Sequence, residues 1–246
     1  MMNPTSHRRA PYLIVAAAVA LSMSACASTT TADKAKTSSS ASAVKTVPTA
    51  KVLYEMMRKN AAAAKSFRIK GEITTGGRKL MIDVAGDRDG KNTRALIKDG
   101  TLEAELLTVG GGVYVKANAA YWTKNASAAT AKVVSGKYVK VPAGAGVMDD
   151  LKVGSFLDGV FVKDLPQAGA QQKVEATNLG GVPAYVLTDK VASDNSKLYV
   201  SADGKARLMR LVSAKVNTGT LDFTEWDAVA PMSAPPADQL VKIPGV

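Results

Sequence analysis

The sequence predicts an α+β fold in which one antiparallel β-sheet carries helices on one face. Three observations predict this class. An amphipathic helical pattern spans residues 48–65, a long series of segments with two-residue alternation follows it, and glycine-containing turns separate those segments. Because neighbouring strands joined by tight turns pair antiparallel, we expect a meander with its apolar side covered by helices.

The first predicted element is the helix at 48–65. Leu53, Met56 and Met57 recur at helical spacing, and Lys51 and Glu55 lie between them. One side of this helix is therefore apolar and must pack against the sheet.

The predicted strands show alternation of apolar and polar side chains. In the first of them, Phe67 and Ile69 alternate with Arg68 and Lys70. The predicted bounds are 66–75, 78–87, 93–98, 101–109, 112–118, 171–179, 182–190, 195–202, 205–216 and 219–227. Turn pairs that tolerate a positive φ separate them: Gly76-Gly77, Asp89-Gly90, Asp99-Gly100, Gly180-Gly181 and Asp203-Gly204.

Two helical patches interrupt the series of strands, at about 127–135 and 147–163. The second patch contains Phe156 and Val160 among several large apolar residues. Such a segment needs an apolar surface to cover, so we expect it to lie over the sheet.

The N-terminal segment 1–25 has the features of a bacterial export signal. Arg8 and Arg9 precede an apolar stretch of roughly 10 to 14 residues, which is too short for a membrane-spanning helix of about 20 residues. Met23-Ser24-Ala25 then leads into Cys26, and the run resembles the lipobox of bacterial lipoproteins, whose cysteine receives diacylglycerol. The alternative is ordinary secretion that leaves Cys26 as an unpaired thiol.

These features predict three parts of the chain. Residues 1–25 form the signal, 26–47 the lipidated cysteine with a polar tether, and 48–246 one domain. A tether of about 20 residues has a typical end-to-end distance near 25 Å, so the domain is expected close to the extracytoplasmic face of a cell membrane.

Composition excludes most catalytic chemistry. The chain has one histidine, His7, and it lies in the predicted signal, so the mature protein has no imidazole for a Ser-His-Asp or Cys-His nucleophile. Zinc sites lose their usual ligands as well. A carboxylate pair or a Ser-Lys dyad remains, but Glu103 and Glu105 alternate with apolar residues and belong to a wet strand face. We therefore predict no enzymatic activity, no metal site and no cofactor.

The chain is basic, with a formal net charge of +11 that falls to +9 when Arg8 and Arg9 leave with the signal. A basic exterior is attracted to anionic headgroups or wall polymers, or it simply keeps the protein soluble. Nucleic acid is not expected as a partner, because the protein is exported and its basic residues are spread along strands. The sequence does not indicate a protein partner.

Several segments carry a resemblance to a known family. They are Gly111-Gly112-Val113-Tyr114-Val115-Lys116, Tyr121-Trp122, Gly136-Lys137-Tyr138-Val139-Lys140-Val141-Pro142, Gly181-Val182-Pro183-Ala184-Tyr185, and 198–208. Together with the order of elements, they resemble the LolA-like bacterial lipoproteins, in particular the actinobacterial LppX and LprG type. The resemblance covers nearly the whole mature domain. It implies an unclosed half-barrel whose concave face is covered by helices and encloses an apolar cavity for a lipid or a lipidated ligand.

The expected cavity lining follows from the resemblance together with the alternation of the strands. It consists of Leu53, Met56, Met57, Phe67, Ile69, Leu80, Ile82, Val84, Leu102, Leu106, Phe156 and Val160. The same side chains would equally form an ordinary hydrophobic core. Two interpretations therefore remain open: a lipid-binding lipoprotein that transports its ligand across the envelope, and a surface interaction or sensor lipoprotein with a filled core.

Overall fold

Residues 46–141, 154, 172–188, 196–214 and 218–241 are described by a computed structural model, and all belong to one unit of the chain, residues 45–246. The elements follow in the order α1 (Ala50–Ala63), β1 (Ser66–Thr75), β2 (Arg78–Asp87), β3 (Thr93–Asp99), β4 (Leu102–Val109), β5 (Gly112–Ala117), α2 (Ala119–Asn125), α3 (Ala128–Val134), β6 (Tyr138–Val141), β7 (Lys173–Leu179), β8 (Val182–Thr188), β9 (Lys197–Ser201), β10 (Leu208–Ser213), β11 (Thr218–Thr224), a 3₁₀ turn (Ala237–Gln239) and β12 (Leu240–Val241).

The twelve described strands form one sheet with the order β12-β6-β5-β4-β3-β2-β1-β11-β10-β9-β8-β7. Two meanders, β1 to β6 and β7 to β11, meet where β1 pairs with β11. Every pairing is antiparallel except that of β12 with β6. Since β12 and β7 end this order, the described strands make an open, mostly antiparallel sheet, and the predicted α+β half-barrel class is confirmed.

Most predicted elements have the expected bounds. The first two strands match β1 and β2 to the residue. The helix predicted at 48–65 corresponds to α1, which is two residues shorter at each end. The helical patch at 127–135 corresponds to α3, whereas the patch at 147–163 lies outside the described residues except for Gly154, which is helical.

Two predicted strand bounds are wrong, and two short elements were not predicted. The strand predicted from residue 205 begins at Leu208, because Ala206 has a φ of +45° in a turn. The strand predicted to 227 ends at Thr224, where Glu225 and Asp227 have positive φ. The short helix α2 and the short strand β6 were not predicted, since seven and four residues carry too little periodicity.

Helix α1 is held by contacts at both ends. The Thr49 hydroxyl caps its first turn by accepting from the Val52 N–H at 3.4 Å. Near its other end, Arg88 Nη1 donates to the Ala61 carbonyl at 2.7 Å, and the Asn60 amide donates to the Lys205 carbonyl. These contacts tie α1 to the β2–β3 turn and to the β9–β10 turn, so the helix crosses one face of the sheet.

Candidate functional site

The side chains of the sheet separate into two faces. On the face that contacts α1, the register places Ile69 opposite Val84 and Phe223, and the alternation continues through Leu106, Val115 and Val139. This inner face is apolar. Its centre under α1 is closely packed, since Phe67 is 0% exposed and Ile69 is 2% exposed.

One edge of this core is closed by an aromatic pair. The Trp226 ring stacks on Phe67 with a centroid distance of 5.2 Å, and its Nε1–H donates to the Leu208 carbonyl at 3.0 Å. The indole therefore contributes apolar area to the core while its polar atom is satisfied.

A cavity of about 370 Å³ lies beside this core, at the N-terminal end of α1. The helix and the segment before it supply one wall, and β8 with the β9–β10 turn supply the other. The lining residues are Thr46, Pro48, Leu53, Met56, Tyr185, Ser201, Ala202, Asp203, Gly204 and Ala206. Ligand pockets span about 300–1,000 Å³, so this cavity is at the small end of that range.

The polar groups at the cavity mouth already bind one another. Ser201 Oγ donates to Asp203 Oδ1 at 2.6 Å and accepts from the Arg207 N–H at 3.0 Å, while the Lys205 N–H donates to the same Asp203 oxygen at 2.9 Å. Burial raises the pKa of Asp203, but the hydrogen bonds from Ser201 and Lys205 outweigh it and hold that pKa below its ordinary value. The carboxylate is therefore ionised at neutral pH.

Two of the twelve predicted lining residues, Leu53 and Met56, line this cavity. Leu53 is itself 1% exposed and belongs to the packed core as well, together with five others: Met57, Phe67, Ile69, Val84 and Leu106. Leu80, Ile82 and Leu102 are half-buried farther along the inner face, and Phe156 and Val160 lie outside the described residues. A ligand-lining role for this set stays a prediction.

Sequence reasoning did not propose the other wall of the cavity. Tyr185 is opposite Val200 in the β8–β9 pairing, and Ala206 is buried in the turn that follows. The tyrosine belongs to the alternating segment 182–190, which marks it as a strand residue. Its position across from Met56 depends on the contact between α1 and a turn about 145 residues later in the chain, and no local pattern carries that information.

The outer face of the sheet is a network of ion pairs. Arg68 binds Asp83 through two hydrogen bonds of 2.7 Å, Arg94 binds Glu105 at 2.8 and 3.1 Å, and Arg210 binds Asp222. The hydrogen bond from Arg68 lowers the pKa of Asp83, in spite of partial burial. These basic side chains are thus neutralised locally by a neighbouring strand.

Glu105 also takes part in a second contact on this face. Tyr138 donates its hydroxyl proton to Glu105 Oε1 at 2.7 Å, and burial together with this hydrogen bond raises the pKa of Tyr138 to about 12. Burial raises the pKa of Glu105, but the hydrogen bonds from Arg94 and Tyr138 lower it below its ordinary value. Glu103 lies on the same face and pairs with Lys98 at 2.9 Å. Both glutamates predicted on the solvent-facing side of the strand therefore form ion pairs with basic side chains of that face.

Within the described ranges, no group of three metal-ligating side chains converges. No helix in the described part of the chain has the length and hydropathy needed to span a bilayer. Cys26, the predicted lipid attachment residue, lies outside the described residues.

No model of a known protein family matches this sequence, and no curated protein is significantly similar to it. Among solved structures, the lipoprotein LppX of Mycobacterium tuberculosis is 10% identical, with 75% of this chain and 98% of that chain covered and a TM-score of 0.42. A conserved protein of Thermus thermophilus is 13% identical, with 78% and 98% covered and a TM-score of 0.36. Both similarities concern the backbone fold alone.

Proposed function

We propose that this protein is a non-catalytic extracytoplasmic lipoprotein that holds an acyl chain of a lipid or of another amphiphile. The observation that carries the proposal is the cavity of about 370 Å³ beside α1. The predicted signal and Cys26 supply the export and the membrane anchor in this proposal, and the bound ligand is cargo for transport across the envelope.

The chemistry of the cavity walls favours an apolar ligand. Pro48 and Met56 present hydrocarbon and thioether surface, Tyr185 adds its ring, and the nearly buried Leu53 and Ala206 complete the apolar lining. Each methylene that leaves water for such a surface gains about 0.8 kcal/mol. A flexible methionine adapts to chains of different shape, because its three rotatable bonds let it fill irregular space.

The mouth of the cavity favours a particular kind of headgroup. Among the described lining residues, Asp203 is the only one with a charged side chain. An ionised carboxylate repels a second carboxylate at close range. We therefore expect a monoacylglycerol or a lysophosphatidylcholine to bind more tightly than a free fatty acid of equal chain length.

The test is to fill the cavity. Met56→Trp adds bulk to the wall, whereas Val52→Trp adds similar bulk to a side chain of α1 that is 46% exposed and does not line the cavity. Both changes are made in the full chain with Cys26→Ser. Titration with a fluorescent monoacyl lipid should give at least a tenfold weaker Kd for Met56→Trp, a loss of about 1.4 kcal/mol, and an unchanged Kd for Val52→Trp.

The proposal is contradicted if the unsubstituted protein binds no amphiphile in this titration and native mass spectrometry finds none after exposure to membrane extract. Equal weakening by both tryptophan variants would also contradict it, because the effect would then not depend on the cavity.

A second function is favoured by the packing of the inner face. Phe67, Ile69 and Met57 are at most 2% exposed, so the centre of the predicted hollow is filled by the protein itself. A surface interaction or sensor lipoprotein with a solid core fits that observation. Capture of a defined partner protein, together with no amphiphile binding, would favour this second function.

A further inference from the structure

The α2–α3 hairpin, residues 118–137, combines positive charge with an absence of nearby acids in the sequence. Residues 106–148 contain no aspartate and no glutamate, but they contain the five lysines Lys116, Lys124, Lys132, Lys137 and Lys140. Three of these, Lys124, Lys132 and Lys137, belong to the hairpin.

The structure leaves these three lysines exposed. No described carboxylate forms an ion pair with any of them. The two helices have seven residues each and are therefore about 10 Å long, so the ammonium groups are confined to one short element. The hairpin consequently has a local positive charge that no carboxylate in the described ranges neutralises.

An exposed apolar side chain lies within the same element. Val133 is 62% exposed, next to Lys132 on α3, whereas Ala131 and Val134 on the same helix are buried. Tyr121 and Trp122 of α2 are partly buried and pack against the core. One side of the hairpin thus packs against the core, and the other side exposes lysines and one valine to solvent.

The arginines of the outer sheet face behave differently. Arg68, Arg94 and Arg210 each form a two-pronged ion pair with a carboxylate on an adjacent strand. Their positive charge is therefore neutralised by carboxylates of the protein itself. The net positive charge of the chain is therefore presented unevenly, and the hairpin is one place where it faces outward.

We propose that the α2–α3 hairpin docks on the surface of an anionic phospholipid bilayer. Flexible ammonium groups are attracted to an anionic leaflet without needing a defined partner geometry. The exposed valine side chain is removed from water when it enters the boundary between headgroups and acyl chains. Single-stranded nucleic acid fits less well, because the two aromatic rings of the hairpin pack inward and form no exposed stacking platform.

The docking is compatible with the predicted anchor. Ala61 of α1 contacts Arg88 in the β2–β3 turn, and Asn118 of the hairpin contacts Thr101 in the β3–β4 turn. The seven-residue strand β3 separates these turns by roughly 23 Å, and the 14-residue helix α1 adds about 21 Å back to the end that the tether joins. A tether of about 20 residues has a maximum length of roughly 70 Å, so a lipidated Cys26 does not prevent the hairpin from reaching the bilayer.

The experiment measures vesicle binding without the anchor. The full chain with Cys26→Ser is sedimented with phosphatidylcholine vesicles that contain or lack phosphatidylglycerol, at about a 7:3 ratio. We expect binding to the anionic vesicles that weakens as salt is added. Replacing Lys124, Lys132 and Lys137 together by Gln should lower the partition coefficient on the order of 100-fold, about fivefold for each lysine.

A matched control removes the same amount of charge from another exposed surface. Lys51, Arg58 and Lys59 lie on the exposed side of α1, and their triple replacement by Gln should change the partition coefficient by less than about fivefold, the effect of a single lysine. Val133→Ser should weaken binding less than the hairpin triple. Circular dichroism checks that each variant is folded, and the single lysine variants serve if a triple is not.

Equal partition of the hairpin triple and the unsubstituted protein would overturn the proposal. So would equal losses in the two triples, which would indicate a general charge effect. Absence of vesicle binding together with retention on an acidic polymer or on nucleic acid would also overturn it. The docking does not depend on the cavity, so loss of amphiphile binding in Met56→Trp leaves this outcome unchanged.

Discussion

The two faces of the sheet are made by the same strands but depend on different interactions. On the inner face, Phe67 and Ile69 are removed from water under α1. On the outer face, the intervening residues Arg68 and Lys70 point to solvent and bind Asp83 at 2.7 and 3.8 Å. Alternation along a single strand thus separates burial of apolar area from pairing of charge.

The difference shows where the stability and the charge of the protein reside. Burial of a large apolar side chain contributes several kcal/mol, whereas an exposed ion pair contributes about 0–1 kcal/mol. The outer network is therefore a small source of stability. Its larger consequence is that it neutralises the arginines of the sheet and leaves the hairpin lysines as exposed charge.

The largest effect on stability is expected from a substitution on the inner face. Phe67→Ala removes a ring that is 0% exposed and that stacks on Trp226, so it should lower the free energy of unfolding by about 3–5 kcal/mol. Urea denaturation followed by tryptophan fluorescence measures this. On the outer face, Met81→Ala changes a side chain that is 50% exposed and should stay within about 0.5 kcal/mol. Similar costs for the two variants would contradict the division between the faces.

A smaller effect on the free energy of unfolding is expected at Tyr138, where the outer face is partly buried. Tyr138→Phe removes the hydrogen bond to Glu105 and should cost about 1–2 kcal/mol at neutral pH. Tyr114→Phe is the control, because the Tyr114 hydroxyl has no described hydrogen-bond partner. No difference between the two variants would show that the Tyr138 contact contributes nothing.

The same variant has a distinct signature at high pH. The pKa of Tyr138 is raised from 10.0 to about 12, so the unfolded chain loses this proton before the folded protein does. The contribution is fully present below pH 10 and is lost as pH rises toward 12. Tyr138→Phe should lack this part of the alkaline loss in stability.

The smallest effect is expected for an exposed ion pair. Arg94→Met should cost less than about 1 kcal/mol at neutral pH, because the Arg94 side chain is half exposed. The lowered pKa of Glu105 makes this contribution present above its ordinary value of 4.5 and lost as pH falls through the folded value. Unfolding curves of both proteins should therefore converge on acidification. A difference that grows at low pH would contradict the role of this pair.

Much of the fold was predictable because its signals are local. Phe67, Ile69 and Ile73 alternate with charged residues, and Gly76-Gly77 adopts the positive φ that a tight hairpin needs. The first two strands therefore have the predicted bounds. The helix α2 was not predicted because Tyr121 and Trp122 are adjacent large apolar residues and show no helical periodicity. Its position depends on Asn118, which caps α2 and donates a hydrogen bond to the Thr101 carbonyl.

The candidate site was predictable only in part. Leu53 and Met56 follow from the apolar side of α1, whereas Tyr185 and Ala206 are brought to them by a contact between distant segments. Leu53, Met57, Phe67 and Val84 share this apolar pattern and all belong to the core, yet only Leu53 among them also lines the cavity. Sequence periodicity identifies which face is apolar, but it does not distinguish a packed position from one beside a cavity.

The sequence by itself determined the class of the fold and its helices and strands of clear periodicity, because these depend on neighbouring residues. The tertiary structure decided that β1 pairs with β11, that a cavity lies between α1 and the β9–β10 turn, and that the hairpin lysines lack carboxylate partners among the described residues. These outcomes depend on packing between segments far apart in the chain, where no local preference acts.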